Sequence, residues 1–198
     1  MSALPARYAV RVWFACAFVV VYRPAEPQAV LDDVSELAGG FEYMCAVLTS
    51  GAIDCWGANE SGQLGDGSTT DRSIPVHVAV QGSTTSATAG VHHTCAVVDA
   101  GLKCWGANYY GQLGDGTQNQ HLTPIDVPGL SSGVSQAAVG SAHTCVLVDG
   151  GVECWGANQH GQVGSGTVSD FIATPTPVFG LGSGVTGIAA GPDFSCAI

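Results

Sequence analysis

The sequence predicts an all-β chain of repeated blades, each of about four short antiparallel strands, and three observations carry that prediction. A cysteine-bracketed run, "CAVLTSGAIDCWGAN" at 45, "CAVVDAGLKCWGAN" at 95 and "CVLVDGGVECWGAN" at 145, recurs every 49 to 50 residues, a period that marks tandem-repeat architecture. Each copy holds short strand-like runs punctuated by Gly, Asn and Asp, with no apolar pattern of helical period. A fourth copy begins at "CAI", residues 196–198, so the chain carries three full repeats and a partial one.

Residues 1–30 differ in character from the repeats. Arg7 and Arg11 precede the apolar run "VWFACAFVVVY", residues 12–22, which resembles the charged and hydrophobic parts of a secretory signal. The run is short for a membrane span, which needs about 20 apolar residues. No small-x-small cleavage site comes after it, and Trp13 makes the surroundings of Cys16 a poor lipoprotein box. A signal, a buried strand and a wrongly chosen start codon are the readings open for this segment. The repeat region is assigned to 31–198, in units of about 39–88, 89–138 and 139–188 with a partial unit at 189–198.

The first strand of each unit lies upstream of the cysteines, in "VSELAGG" from Val34, "VSQAAVG" from Val134 and "VTGIAAG" from Val185. A glycine stands five residues before each leading cysteine, at Gly40, Gly90, Gly140 and Gly191. The cysteines then frame a hairpin. With Asp99-Ala100 as a two-residue loop, Val98 faces Gly101 and Cys95 falls opposite Cys104; Asp149-Gly150 does the same for Cys145 and Cys154. The first copy is one residue longer, and Thr49-Ser50-Gly51 absorbs the extra residue so that Cys45 still faces Cys55. Facing residues at a non-hydrogen-bonded pair have α-carbons about 4.5 Å apart, within reach of a disulfide. The pairs predicted are therefore Cys45–Cys55, Cys95–Cys104 and Cys145–Cys154, with Cys196 lacking its counterpart. Buried free thiols are the alternative. Such bridges point to an oxidising compartment, extracellular or at the cell surface.

Zinc is a competing use of these cysteines, since His93 and His143 lie two residues before Cys95 and Cys145. Tyr43 and Phe194 hold the same position in the other copies, so a large ring flanking the hairpin accounts for all four. After the hairpin, Trp56, Trp105 and Trp155 are assigned to packing between neighbouring blades, because a lone repeat cannot hide its own apolar face. Asn59, Asn108 and Asn158 are assigned to bonds with local backbone. "GQLG" or "GQVG" comes next, at 62–65, 111–114 and 161–164. Asp66 and Asp115 in the adjoining "GDG" suggest calcium, yet Ser165 replaces them in the third copy and a turn needs no ion. The fourth strand is Pro-rich and edge-like: "SIPVHVAV", "LTPIDVPGL", "TPTPVFGL". Four-stranded units arranged radially make a β-propeller.

"CWGAN", "GQLGDG" and the "HTC" before the hairpin resemble the regulator of chromosome condensation repeat family over residues 34–198. That resemblance implies a seven-bladed propeller, of which this chain would hold an incomplete part. The cysteine pairs resemble those of secreted bacterial members rather than the chromatin-associated founder. Three and a partial blade leave open edges. A fragment, an assembly of chains that closes the ring and a stable open solenoid are the three explanations. An end two residues after a strand cysteine favours the fragment, and self-association through the edges belongs to the second.

Composition narrows function. The chain holds 16 Asp and Glu against 5 Lys and Arg, which argues against binding nucleic acid or an anionic membrane surface. No activated Ser or Cys signature and no phosphate-cradling Gly-x-x-x-x-Gly-Lys loop occurs. The reading is a non-catalytic, cofactor-free scaffold whose loops meet a protein or carbohydrate partner. The candidate contacts are the variable pairs between Asn and "GQLG": Glu60 with Ser61, Tyr109 with Tyr110, and Gln159 with His160. The resemblance implies an alternative, guanine nucleotide exchange on a small GTPase, which the cysteine pairs oppose. Inhibition of an extracellular enzyme is a third reading, resting on fold alone.

Overall fold

A computed structural model describes residues 33–198; the signal-like segment with Arg7, Arg11 and Cys16 lies outside the described residues. Fourteen strands form three four-stranded antiparallel sheets and one two-stranded sheet. The first blade is β1 (Val34–Gly39), β2 (Tyr43–Leu48), β3 (Ile53–Gly57) and β4 (Arg72–His77). The second is β5 (Thr84–Ala89), β6 (His93–Val98), β7 (Gly101–Gly106) and β8 (His121–Asp126). The third is β9 (Val134–Val139), β10 (His143–Val148), β11 (Gly151–Ala157) and β12 (Phe171–Pro177). The fourth begins with β13 (Ile188–Ala190) and β14 (Ser195–Ala197). Each sheet takes its strands in chain order. Sheets therefore begin at 34, 84 and 134, and each sequence period holds three strands of one sheet and the first strand of the next.

Local chemistry sets each hairpin. Asp99 and Ala100 both have positive φ (49° and 61°), as do Asp149 and Gly150 (49° and 78°), the type I′ geometry that matches strand twist. Cys95 faces Cys104 and Cys145 faces Cys154, while the longer first loop, with Gly51 at φ 83°, keeps Cys45 opposite Cys55. All three pairs are disulfide-bonded, with α-carbons 4.1 Å apart, and Cys196 is exposed and has no disulfide partner among the described residues. Beyond each second cysteine the third strand bulges against the fourth, between Cys and Gly of "CWG". That glycine has φ near 100° in the second blade, and a side chain there would collide with the backbone of His92 and His93. The bulge lets the intervening Trp leave the sheet plane and face the neighbouring blade.

The first strands converge, β1 against β5, β5 against β9 and β9 against β13, so the sheets radiate from a common inner edge as an incomplete propeller. Three buried clusters hold the chain together, each shared by adjacent blades. Leu64, Val78 and Trp105 lie in the first, Leu113, Val127 and Trp155 in the second, and Val163, Val185 and Ile188 in the third. The outer strands carry Pro75, Pro124, Pro175 and Pro177, which blunt the free edges because proline has no N–H to offer.

Candidate functional site

One recurrent loop, joining the third strand to the fourth, carries every candidate contact residue. It is braced from within by a buried asparagine. Asn59 Oδ1 accepts from the Leu64 N–H at 3.0 Å, and its Nδ2 donates to the carbonyls of Ser68 (3.0 Å) and Thr70 (3.1 Å). Asn108 and Asn158 repeat the brace through the Leu113 and Val163 N–H groups and the Thr117 and Thr167 carbonyls. All three are fully buried; a buried amide with its bonds satisfied fixes the loop.

A second clamp sets the variable pair itself. The Gln63 side-chain carbonyl accepts from the Ser61 N–H at 2.9 Å, Gln112 from Tyr110 at 2.9 Å and Gln162 from His160 at 3.0 Å. Glu60, Tyr109, Tyr110, Gln159 and His160 are exposed at equivalent points of successive blades, whereas Ser61 is buried. The short Ser61 side chain stays within the loop where Tyr110 and His160 project from it, so only five of the six candidates offer side chains to a partner. Tyr109 is 61% exposed, a large amphipathic ring on a rigid mount.

The next residues swap as a pair. Asp66 accepts from Arg72 Nε at 2.7 Å and from Ser68, and Asp115 accepts from His121 Nε2 at 3.0 Å and from Thr117. In the third blade Ser165 and Phe171 stand at those two places. The Asp66 and Asp115 carboxyls lie below the usual carboxylate range. Burial pushes both upward but is outweighed, at Asp66 by Ser68 and Arg72 and at Asp115 by Thr117, Asn108 and His121. These oxygens are thus committed to the turn rather than presented to an ion.

The ring position before each leading cysteine has a role that sequence reasoning missed. Tyr43 Oη donates to the His93 carbonyl at 2.6 Å and meets Thr94 Oγ1 at 2.9 Å; His93 Nε2 lies 3.0 Å from Thr144 Oγ1, and His143 Nε2 3.0 Å from Ser195 Oγ. Each ring is a latch onto the next blade. The hydroxyls in turn donate backwards, Thr94 to the Gln63 carbonyl, Thr144 to Gln112 and Ser195 to Gln162. Because each hydroxyl has one proton and spends it there, the histidine Nε2 is the donor and Nδ1 carries no proton. Nδ1 of both histidines is buried without a partner. Protonating it would strand a charged donor, and burial lowers His93 to about 3 and His143 in the same direction, while burial raises the Tyr43 phenol. His93 faces a hydroxyl and the adjacent cysteines are bonded to each other, so this is packing chemistry rather than zinc chemistry. Only the 50-residue repeat of hydroxyl after ring, at Thr94, Thr144 and Ser195, hinted at it.

Both cations among the described residues are already paired, Arg72 with Asp66 and Lys103 with Asp126. The loop face and hairpin tips thus expose carboxylates without free positive charge to balance them.

Comparison with known proteins places these features. The family model described as Regulator of chromosome condensation (RCC1) repeat matches residues 50–97, 104–147 and 149–198, and a second model of the same description matches 34–63 and 134–162. The ultraviolet-B receptor UVR8 of Arabidopsis thaliana is 36% identical over 70 residues, 34% of this chain and 16% of that protein. The structure of Prp20p of Saccharomyces cerevisiae, described with its binding to Gsp1p and histones, superposes with a TM-score of 0.75 at 20% identity over 83% of this chain and 43% of Prp20p. Human WBSCR16 gives a TM-score of 0.73 at 27% identity over 83% and 45%. The chain thus spans less than half the length of these solved relatives.

Proposed function

Since this chain belongs to the regulator of chromosome condensation repeat family, we propose that it is a non-catalytic scaffold that binds a basic protein through the loops after the third strands. The observation that carries this reading is the clamped row of variable pairs. Glu60, Tyr109, Tyr110, Gln159 and His160 occupy equivalent, exposed points on three blades, each held by a buried Asn and a Gln side chain. Rigid mounting limits the entropy lost on binding, and Tyr supplies apolar area with a hydroxyl. Charge complementarity selects the partner: 16 acidic against 5 basic residues, with Arg72 and Lys103 already paired, favours a basic protein surface over an acidic one. Carbohydrate has no comparable support.

Three disulfides support an extracellular or cell-surface location. Family membership also supports a second reading, exchange-factor action on a small GTPase, which requires a reducing compartment. Photo-crosslinkers placed at Tyr109 and at the opposite-face residue Asp99 test the scaffold. The expected result is one defined protein captured from position 109 only, with capture lost when Tyr110→Ser and His160→Ser are added, at unchanged melting temperature. Equal capture from both faces would refute the assigned contact face, and acceleration of nucleotide release from a GTPase would favour the second reading.

A further inference from the structure

Of the chain's asparagines, Asn59 alone opens an Asn-x-Ser/Thr sequence, Asn59-Glu60-Ser61. This is the acceptor signal for N-glycosylation, in which the transferase reads the hydroxyl two residues on, and it normally marks a surface loop. Here the structure puts the asparagine inside: Asn59 is fully buried and Ser61 is 8% exposed. The next two loops hold Asn108-Tyr109-Tyr110 and Asn158-Gln159-His160 at the same place, without the hydroxyl. Acceptor chemistry is thus confined to the first blade, although the same buried amide braces all three.

The nitrogen that would take the sugar is the one that holds the loop shut. Asn59 Nδ2 donates to the carbonyls of Ser68 at 3.0 Å and Thr70 at 3.1 Å and lies 3.2 Å from Asp66 Oδ1, while Asn59 Oδ1 accepts from the Leu64 N–H at 3.0 Å. Transfer replaces one of the two N–H bonds on that nitrogen with a bond to carbon. The single proton left cannot hold both carbonyls at full strength, and a buried acceptor without its donor is costly. The sugar ring also needs the space that the backbone of Ser68 and Thr70 fills at hydrogen-bond distance. Asp66 and Arg72 close the same turn from outside.

We infer that Asn59 is an N-glycosylation acceptor in the unfolded chain only, and that the glycan and the closed first-blade loop exclude one another. In the transfer, Asn59 Nδ2 attacks C1 of a lipid-pyrophosphate-linked oligosaccharide. The C1–O bond to the pyrophosphate breaks, the lipid pyrophosphate leaves, and the nitrogen gives up one proton as the N-glycosidic bond forms. A chain modified before the loop closes keeps that loop open and loses the fixed mount of Glu60. A chain that closes first is out of the enzyme's reach. Order of events therefore decides between two products in any glycosylating secretory route, an oxidising setting of the kind the three disulfides support.

Purified oligosaccharyltransferase with its lipid-linked donor tests this on the full-length chain, offered either native or reduced and unfolded. Attachment is read by peptide mapping, as mass gained at Asn59 and removed again by a peptide N-glycosidase. Native chain is expected to react at least about 100-fold more slowly than unfolded chain, because attack must wait for the loop to open. The partly modified sample is then reoxidised and treated with protease; glycan is expected in the digested fraction and not in the resistant one. Ser61→Ala is expected to abolish transfer in both states and to melt as the parent chain does, since the bond from the residue 61 N–H to the Gln63 side chain uses only backbone. Equal rates for native and unfolded chain, glycan at Asn59 in protease-resistant chain with all three disulfides formed, or no transfer to the unfolded chain would each overturn the proposal.

Discussion

The second blade and the first contain the same Cys-Trp-Gly strand, yet the two tryptophans live in different surroundings. Trp105 is fully buried against Leu64 and Val78 of the first blade and hydrogen-bonded to Gln63. Trp56 has no such blade before it among the described residues and is only half-buried, and Leu37, Phe41 and Met44 around the same end of the molecule are exposed. Met44 also replaces the hydroxyl that Thr94 and Thr144 use to bond backwards. The motif is therefore not a core in itself. It becomes one when a preceding blade supplies the glycine floor and the carbonyl, the nearest-neighbour logic of repeat proteins.

The largest effect should come from removing an indole. Trp105→Ala is expected to cost about 3–5 kcal/mol in denaturant unfolding, the range for truncating a buried aromatic, and Trp56→Ala well under half of that. Similar losses at the two sites would contradict the neighbour-dependent core.

Acid should separate the interfaces next. His93 is neutral when folded, lowered to about 3, but gains a proton on unfolding below about pH 6.5. The unfolded state thus binds the extra proton, so stability falls as pH drops from about 6.5 towards 3, by at most about 1.4 kcal/mol per pH unit for this group. Asp66 and Asp115, held low in the folded chain, act in a lower window: their contribution is present above the unfolded carboxylate value and disappears as pH falls below about 3.9. The first interface uses Tyr43, which stays neutral across this range. Hydrogen exchange at pH 5 should therefore show the second-to-third interface opening more than at pH 7 while the first-to-second does not. His93→Tyr, which copies the first blade's latch, should remove the difference; a persistent acid response in that variant would point to another group.

Replacing both Cys95 and Cys104 with Ser is expected to lower stability by about 2–3 kcal/mol, the value for a short closed loop. The bridge lies within one sheet, so the loss should be similar for Cys45 and Cys55, unlike the Trp comparison. Thermal melts of the two double variants check this.

The smallest effect is a gain. Ala100 sits at φ 61° where the third blade uses Gly150. Ala100→Gly should stabilise by about 0.5–1 kcal/mol, the left-handed penalty of about 1–2 kcal/mol less the entropic cost of glycine. Gly150→Ala should do the reverse, and a loss of stability in Ala100→Gly would show that the loop is held by something other than its turn geometry.

Sequence by itself determined what is local. Loop length and turn chemistry at Asp99-Ala100 and Asp149-Gly150 set the hairpin register, and register alone placed each cysteine opposite its partner; the 50-residue period then gave the blades and assigned the tryptophans to their interfaces. The Asn braces were legible for the same reason, since Asn59 bonds within twelve residues of itself. Only the tertiary structure decided the rest. The ring latches join residues about 50 apart, Tyr43 to the His93 carbonyl and His93 to Thr144, and nothing in one repeat states which carbonyl of its neighbour an indole will find. Contacts within a hairpin arise from short-range sterics, whereas contacts between blades exist only once the sheets have been stacked.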